Sequence, residues 1–190
     1  AVELYERGRE RSQRAGDAVG AAIASMNIAE VRSDQGRLDE AEGPAREALR
    51  VFRAAAYTEL IATNCSILGR IVSRAGRHEE AGAILVEARQ HAEHAGAQLL
   101  EVGALGLLAE DLVRVGDAES AFAHLDRADA RASTVGGAGV YGPLLERVRG
   151  CAYLVRGEFE DADKALDRSL DAARSSGSEF EVPLSLSARG

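Results

Sequence analysis

The residues best suited to binding chemistry are charged side chains that recur at a fixed spacing. Glu30, Arg70 and Glu110 follow one another at intervals of forty residues, and their signs alternate. On neighbouring parallel helices, whose axes lie roughly 8–10 Å apart, side chains in equivalent positions come close together. These three residues would form either a ladder of ion pairs that satisfies itself or a row of alternating charges for an extended peptide. The sequence leaves both interpretations open.

Two arginines one helical turn further along differ from this row, because no acidic residue occupies an equivalent position. Arg74 and Arg114 are therefore predicted to bind an anionic group of a ligand. Asn27, Ser66 and Leu107 are predicted to line the same channel. The complete set of candidate binding residues is Asn27, Glu30, Ser66, Arg70, Arg74, Leu107, Glu110 and Arg114.

Two further patterns match binding motifs by letter but not by context. Residues 137–142 read Gly-Ala-Gly-Val-Tyr-Gly, which is the GxGxxG spacing of a dinucleotide fingerprint. Such a fingerprint follows a β-strand, whereas residues 118–135 have helical periodicity, so the segment is predicted to be a loop between repeats. Glu87, His91 and His94 share one helix face, but no second element completes a metal site, and they are predicted to be solvated.

The sequence contains no motif for catalysis, for a cofactor or for a metal. Nucleophile, phosphate-loop and zinc-protease motifs are all absent from it. Acidic pairs such as Asp39 and Glu40 fall at predicted helix N-termini, where the helix dipole explains them. Cys65 and Cys151 have no metal-ligand spacing and are predicted to be reduced thiols. We therefore expect a protein without enzymatic activity, cofactor or bound metal.

Charge and hydropathy argue against two classes of partner. The chain carries 23 Lys and Arg against 31 Asp and Glu, a net charge of −8, whereas nucleic-acid-binding proteins present a basic face. Its apolar runs are much shorter than the roughly 20 residues that a membrane-spanning helix needs. The N-terminus lacks the basic and then apolar pattern of a signal peptide. The sequence therefore predicts a cytoplasmic protein that binds neither nucleic acid nor a membrane.

An internal repeat supplies the elements that must position the candidate residues. Turn residues recur in two interleaved series, which are Gly36, Gly76, Gly116 and Gly157, and Gly16, Ala56, Gly96, Gly136 and Gly177. The spacing within each series is forty or forty-one residues. Glycine in the left-handed conformation closes the last turn of a helix, so two turns per repeat predict two helices per repeat. Between the turns, apolar residues recur at alternating intervals of three and four residues, which is the spacing of an amphipathic helix.

This pattern predicts ten helices in a single continuous array. Their expected ranges are 1–15, 18–35, 38–55, 58–75, 78–95, 98–115, 118–135, 140–156, 159–176 and a last helix from about 179. The array comprises a half repeat over 1–16, repeats over about 17–56, 57–96, 97–136 and 137–177, and a partial helix over 178–190. One hairpin cannot bury its apolar stripe alone, so the hairpins are expected to stack into an all-α solenoid with a concave binding face. Both ends fall inside helical pattern, and we expect the sequence to be a piece of a longer protein.

Small residues occupy the positions where paired helices would cross. The chain has 36 alanines among 190 residues, and many of them lie at fixed distances from the first series of glycines. The recurring positions are Ala29, Gly69, Ala109 and Gly150; Ala41, Ala81, Ala121 and Ala162; and Ala48, Ala88, Ala128 and Ser169. This pattern resembles the tetratricopeptide repeat family and covers nearly the whole chain. The resemblance implies a right-handed superhelix of antiparallel helix pairs, in which the first helix of each repeat lines the concave groove.

A narrower resemblance concerns residues 27–42, which are similar to the C-terminal repeats of actinobacterial adenylate/guanylate cyclase-type proteins. In those proteins the array follows a cyclase domain and an AAA-type ATPase module. The resemblance implies a non-catalytic module that binds a protein or peptide in its groove, as the regulatory arm of a multidomain bacterial signalling protein. The alternatives are a sensor of a small-molecule effector and a homo-oligomerisation module that stacks through its terminal half repeats. The Lys and Asn pattern that clamps a peptide's terminal carboxylate is not reproduced.

Individual residues depart from the family pattern. Arg149 stands where an apolar residue is usual, and Ala56 replaces a turn glycine. Pro44 falls inside a predicted helix, where it removes a backbone hydrogen bond and is expected to kink that helix or delay its start.

Overall fold

The computed structural model describes residues 1–178 and 180–189, which form ten α-helices, one short 3-10 helix and no β-strand. In chain order the α-helices are α1 (Val2–Arg14), α2 (Ala18–Asp34), α3 (Leu38–Ala54), α4 (Thr58–Arg74), α5 (His78–His94), α6 (Gln98–Arg114), α7 (Ala118–Ser133), α8 (Gly142–Arg156), α9 (Phe159–Ser176) and α10 (Glu181–Arg189). The 3-10 helix, Gly139–Tyr141, directly precedes α8. The predicted all-α repeat of helix pairs is confirmed.

The turn residues have the backbone conformation that the repeat requires. The glycines of both series have φ values between 68° and 83°. At the turn after α2, the amide of Gly36 donates to the Ser33 carbonyl at 3.0 Å, and the amide of Arg37 donates to the Arg32 carbonyl at 2.9 Å. These bonds satisfy carbonyls that the end of a helix leaves without partners. Each helix therefore ends close to its predicted position.

The helices cluster into two compact units, Ala1–Ala97 and Gln98–Gly190. The first unit holds α1 to α5 and the second holds α6 to α10, so the division falls at a boundary between predicted repeats. We call α2, α4, α6 and α8 the first helices of their repeats, and α3, α5, α7 and α9 the second helices. Within a unit, paired helices pack on each other and adjacent first helices are also in contact, as α2 is with α4 and α6 with α8. The single continuous array stays a prediction.

Small residues form the core at the helix crossings. The predicted crossing residues Ala29, Ala41, Ala48, Ala81, Ala88, Ala109, Ala121 and Ala128 are all 0% exposed. Gly69 shows why size matters, because a Cβ atom there would lie only 2.5 Å from Cδ2 of Leu85. Ser169 is a polar exception, and its hydroxyl donates to the Pro143 carbonyl at 2.7 Å. The small residues therefore set how closely paired helices approach.

Pro44 does not delay the start of its helix, so that part of the prediction is wrong. Helix α3 begins at Leu38 and runs through Pro44 without interruption. Proline lacks the amide that would donate to the carbonyl four residues earlier, which belongs to Glu40. The guanidinium of Arg32 donates to this Glu40 carbonyl at 3.1 Å and also pairs with Glu6 at 3.0 Å. A side chain from α2 thus replaces the backbone bond that Pro44 removes.

Arg149, the residue that departs from the apolar pattern, is accommodated by ion pairs. Its guanidinium lies 2.6 Å from the Asp129 carboxylate and 3.6 Å from that of Glu146. The side chain is 14% exposed, which keeps its aliphatic part against the protein while the charge is paired. The arginine therefore occupies a position at the edge of the second unit's core without an unpaired charge.

The segment 137–142 is not a dinucleotide fingerprint, and the prediction of a loop is confirmed. It follows α7 rather than a strand, and it contains the 3-10 helix Gly139–Tyr141. The aromatic ring of Tyr141 packs over Gly103, where a Cβ atom would lie 2.5 Å from two ring carbons. The segment therefore places the Tyr141 ring in contact with α6.

Ala56 carries backbone strain that a single substitution tests. It has φ of 55° at a turn where the equivalent residues are glycines. The left-handed conformation costs an L-residue about 1–2 kcal/mol, and glycine's extra freedom in the unfolded chain offsets part of that gain. We expect Ala56→Gly to stabilise the protein by about 0.5–1 kcal/mol, measured as a higher midpoint of thermal unfolding.

The matched control for this prediction is Ala55→Gly. Ala55 has φ of −89°, a conformation that alanine adopts without strain. Glycine there is expected to lower stability by about 0.5–1 kcal/mol, because it adds only unfolded-state entropy. A lower melting temperature for Ala56→Gly than for the unmodified protein would contradict the assignment of strain.

None of the helices described here combines the length and the hydropathy that a bilayer span requires.

Candidate functional site

In the first unit, the predicted site residues line the face that α2 and α4 share. Arg70 of α4 places Nη2 3.9 Å from Glu30 Oε1, which confirms the first ion pair of the predicted ladder. The same atom lies closer to Asp34, at 3.1 Å from Oδ1. Asp34 was not predicted, although it lies one helical turn after Glu30 and therefore on the same face. The Arg70 side chain is only 15% exposed, so this pairing holds its guanidinium against the protein.

Arg74 was predicted to bind an anionic group of a ligand, but its guanidinium is engaged by a backbone carbonyl. Its Nη1 donates to the backbone carbonyl of Ser33 at 3.2 Å. That carbonyl belongs to the last turn of α2, where the helix dipole favours a positive charge. The prediction compared side chains at equivalent positions, and it therefore missed a backbone partner. Arg74 stabilises the end of α2.

The remaining candidates of this unit are polar groups that the fold leaves unused. Asn27 and Ser66 are half-buried, and within residues 1–178 and 180–189 their side chains make no hydrogen bond. The Glu30 carboxylate has no hydrogen bond either, and its side chain is 48% exposed. Partial burial raises the pKa of Glu30, an effect that Arg70 opposes and Asp34 reinforces. An amide, a hydroxyl and a carboxylate are thus accessible on one face.

In the second unit, the predicted residues Leu107, Glu110 and Arg114 are mostly buried or paired with other residues of the chain. Glu110 is 7% exposed and lies 3.1 Å from Arg114, four residues later on α6. The comparison of equivalent positions did not consider Glu110 as a partner of Arg114, because Glu110 lies on the same helix face and not in a neighbouring repeat. Leu107 is 9% exposed and offers a ligand little surface. The predicted step of the ladder from Arg70 to Glu110 stays a prediction.

A buried network of ion pairs, which was not predicted from the sequence, connects three helices of the second unit. Arg147 of α8 is 6% exposed and lies 3.0 Å from Glu110 of α6 and 2.7 Å from Glu181 of α10. Burial lowers the pKa of Arg147, but the two carboxylates outweigh this effect and raise it. The sequence did contain an indication of this network, because a charged residue, Arg147, occupies the repeat position that Ser66 and Gly106 occupy in the preceding repeats. We call these three residues the Arg147 triad.

The two cysteines lack the properties of reactive thiols. Both are free; Cys65 is buried and Cys151 is half-buried. Burial raises the pKa of Cys65 to about 12 and also raises the pKa of Cys151. A nucleophilic cysteine needs a lowered pKa, so neither thiol is activated.

An open cleft of about 640 Å³ lies between α3, α4 and α5 in the first unit. Its lining residues are Arg53, Ala56, Thr58, Ile61, Gln90, His91 and His94. Both oxygens of the Glu87 carboxylate accept hydrogen bonds from Arg53 Nη2, at 2.6 and 2.7 Å, and Glu87 also faces His91 at 3.7 Å. No three His, Cys, Asp or Glu of the described chain are grouped to hold a metal ion. The volume is in the range typical of small-molecule sites.

Comparisons with known proteins bear on the fold. No protein-family model matches the chain, and no curated protein matches it. Among solved structures it is similar to a Rap protein in complex with Competence and Sporulation Factor, with a TM-score of 0.78 and 19% identity over 97% of this chain. The chain spans about 50% of the length of that Rap protein. A second match is the MamA protein, with a TM-score of 0.48 and 14% identity over 94% of both chains. Taken with the repeat of helix pairs, the likeness to the Rap protein shows that the chain has a tetratricopeptide-like all-α repeat fold.

Proposed function

We propose that the chain is a non-catalytic repeat module that binds a protein segment or peptide on the face of the first helices α2 and α4 of the first unit. The observation that carries this proposal is the contrast between engaged and unused groups on α2 and α4. Arg70 and Arg74 form hydrogen bonds from α4 to the end of α2. The side chains of Asn27, Glu30 and Ser66 form no hydrogen bond within the described residues, and their polar atoms can therefore bind a ligand. A rigid face with unused polar groups binds an extended chain without a large ordering cost.

The likeness to the Rap protein supports the proposal. That protein, with which the chain shares its fold, is in complex with Competence and Sporulation Factor. Repeat folds of this kind leave an extended surface, because each repeat contacts only its neighbours. We therefore propose that this chain, too, uses its repeat surface to recognise another molecule.

A display selection of random linear peptides against the immobilised chain tests this function. Peptides that are enriched are expected to bind the chain in solution, and Asn27→Ala is expected to raise the Kd about five- to tenfold. Alanine is the best helix former, so this substitution removes an amide from the face without weakening α2. The measurement is fluorescence anisotropy of a labelled selected peptide.

The matched control is Gln90→Ala, which removes an amide from the second helix α5. It is expected to leave the Kd of the selected peptide unchanged. The proposal fails if the selection enriches no peptide. It also fails if Gln90→Ala weakens binding and Asn27→Ala does not, since the binding surface would then be the cleft.

We further propose that this module is the regulatory arm of a longer, multidomain bacterial signalling protein. The resemblance of residues 27–42 to the repeats of cyclase-type proteins supports this context. The sequence that flanks these residues in the parent gene tests it. A cyclase or ATPase domain beside the repeats would support the proposal, and flanks that encode neither would contradict it.

A second candidate function, the sensing of a small molecule, is favoured by the cleft between α3, α4 and α5. Its volume of about 640 Å³ suits a small effector, and Gln90, His91 and His94 offer polar groups that could orient it. A ligand that binds only the folded state raises the melting temperature. A metabolite screen by thermal shift is therefore expected to give hits that His94→Ala abolishes, and an entirely flat screen would count against this candidate.

A further inference from the structure

The positive charges on the face of α2 and α4 are held by the protein itself. Arg70 pairs with Asp34 at 3.1 Å, and Arg74 donates to the Ser33 carbonyl at 3.2 Å. Both arginines belong to α4 and both contact the last turn of α2, where the helix dipole favours cations. A ligand on this face therefore meets guanidinium groups that already have partners.

Glu30 differs from these arginines because its carboxylate keeps its capacity to accept hydrogen bonds. Its closest cation is Arg70, at 3.9 Å, which is beyond hydrogen-bonding distance. Arg70 lies nearer to Asp34, so Glu30 shares this cation with a second carboxylate and its own negative charge is engaged by no hydrogen bond. The 48% exposure of the Glu30 side chain leaves this charge accessible to a ligand.

Two neutral side chains with oxygen acceptors, Asn27 and Ser66, belong to the same face of α2 and α4 as Glu30. Asn27 precedes it by three residues on α2, which is the spacing of neighbours on one helix face. Ser66 of α4 lies forty residues, or one repeat, after Met26, and this spacing places it beside the adjoining residue Asn27 on α2.

We infer that Asn27, Glu30 and Ser66 form a binding site for a primary ammonium group. The group would be the N-terminus of the bound peptide or the side chain of one of its lysines. An ammonium has three N–H donors, and the site offers three kinds of acceptor, which are a carboxylate, an amide oxygen and a hydroxyl. The inference rests on the proposed function, because it specifies the chemistry of one part of that ligand.

The same geometry disfavours other charged groups. An anion would meet the carboxylates of Glu30 and Asp34 and could reach only arginines that are already engaged. A guanidinium pairs best through a planar fork with both oxygens of one carboxylate. The Arg70 guanidinium already faces Oε1 of Glu30, so a second guanidinium would compete with it for the same carboxylate oxygen.

Small amines test the site directly in amide-resolved NMR titrations of the full chain. The probes are Nα-acetyl-lysine methylamide, which has only the side-chain ammonium, and leucinamide, which has only the terminal ammonium. Nα-acetyl-leucinamide, which has no ammonium, is the neutral probe. At least one ammonium probe is expected to shift the amide resonances of Asn27, Glu30 and Ser66, and the neutral probe is expected to shift none of them. The source of the ammonium is assigned from the probe that binds more tightly.

Two charge-removing variants complete the experiment. Glu30→Gln is expected to raise the Kd of the ammonium probe at least about fivefold. Glu47→Gln removes the charge of another exposed glutamate, on the second helix α3, and is expected to leave the Kd unchanged. Equal shifts with the neutral probe, or an unchanged Kd in Glu30→Gln, would overturn the inference. If selected peptides bind the chain and no ammonium probe does, the ammonium site is wrong while the proposed function stands.

Discussion

Replacing Arg147 by leucine is expected to lower the free energy of unfolding by about 3–5 kcal/mol. The reason is the Arg147 triad, in which one arginine pairs with both Glu110 and Glu181 while all three residues are at most 8% exposed. Removing the arginine leaves two carboxylates in a poorly solvated place, and Arg114 can compensate only one of them. Urea unfolding of the variant, followed by circular dichroism, measures the loss.

The control for this prediction is Arg168→Leu. Arg168 pairs with Glu146 at 2.7 Å, but its side chain is 53% exposed, and such surface pairs contribute at most about 1 kcal/mol. A triple variant in which Arg147, Glu110 and Glu181 all become apolar is expected to recover most of the lost stability, because no uncompensated charge remains. A loss below about 1 kcal/mol in Arg147→Leu would contradict the account of the triad.

Gly69→Ala is the second substitution with a large expected effect. Alanine normally stabilises the interior of a helix relative to glycine, by about 0.5–1 kcal/mol. At Gly69 the added Cβ would lie 2.5 and 2.6 Å from Cδ2 and Cγ of the buried Leu85. Overpacking of this kind costs about 1–3 kcal/mol, so we expect net destabilisation. The measurement is the change in unfolding free energy by chemical denaturation.

Gly82→Ala provides the control within the same unit. Gly82 lies inside α5, and a Cβ there would meet nothing within 4 Å. This variant is therefore expected to stabilise the protein by about 0.5–1 kcal/mol. The prediction rests on the opposite signs of the two effects. If Gly69→Ala stabilises the chain as much as Gly82→Ala does, the close crossing of α4 and α5 is not as tight as described.

The local structure could be predicted from the sequence because each turn carries its own signal. Gly36 closes α2, and the same residue type recurs at intervals of forty or forty-one residues along the chain. Small residues such as Ala41 and Ala81 then fix where paired helices cross. Turn chemistry, apolar spacing and residue size all point to the same arrangement, which is why the helix bounds agree so closely.

The partners of charged side chains could not be predicted in the same way. The contact of Arg70 with Glu30 was predictable, because these residues occupy equivalent positions one repeat apart. Asp34, which is offset by one helical turn, and the Ser33 carbonyl, which is a backbone partner, were not predicted. Long side chains reach across such offsets, so sequence register alone does not decide which groups pair.

The Arg147 triad escaped prediction for a related reason. Glu181 lies only 34 residues after Arg147, so it does not fall at the repeat spacing. The predicted delay in the start of α3 at Pro44 was wrong, and a side chain contributes there too, because Arg32 supplies a hydrogen bond to the Glu40 carbonyl. In both cases a single arginine makes contacts that the repeat spacing does not predict.

These compensating contacts bear on the proposed function. Arg70 and Arg74 hold α4 against the end of α2, and they do so with groups that a ligand would otherwise have to order. A face that is already ordered costs less free energy to bind than a flexible one. The unused groups of Asn27, Glu30 and Ser66 would then meet a ligand in fixed positions.

An amide-resolved NMR footprint of a selected peptide on the full chain shows directly which helices bind it. Binding on the first helices is expected to shift resonances of α2 and α4, centred on Asn27, Glu30 and Ser66. Resonances of the second helices α3 and α5 are expected to change little. A footprint centred on α3 and α5, or on the cleft around Gln90 and His94, would contradict the claim that the first helices form the binding face.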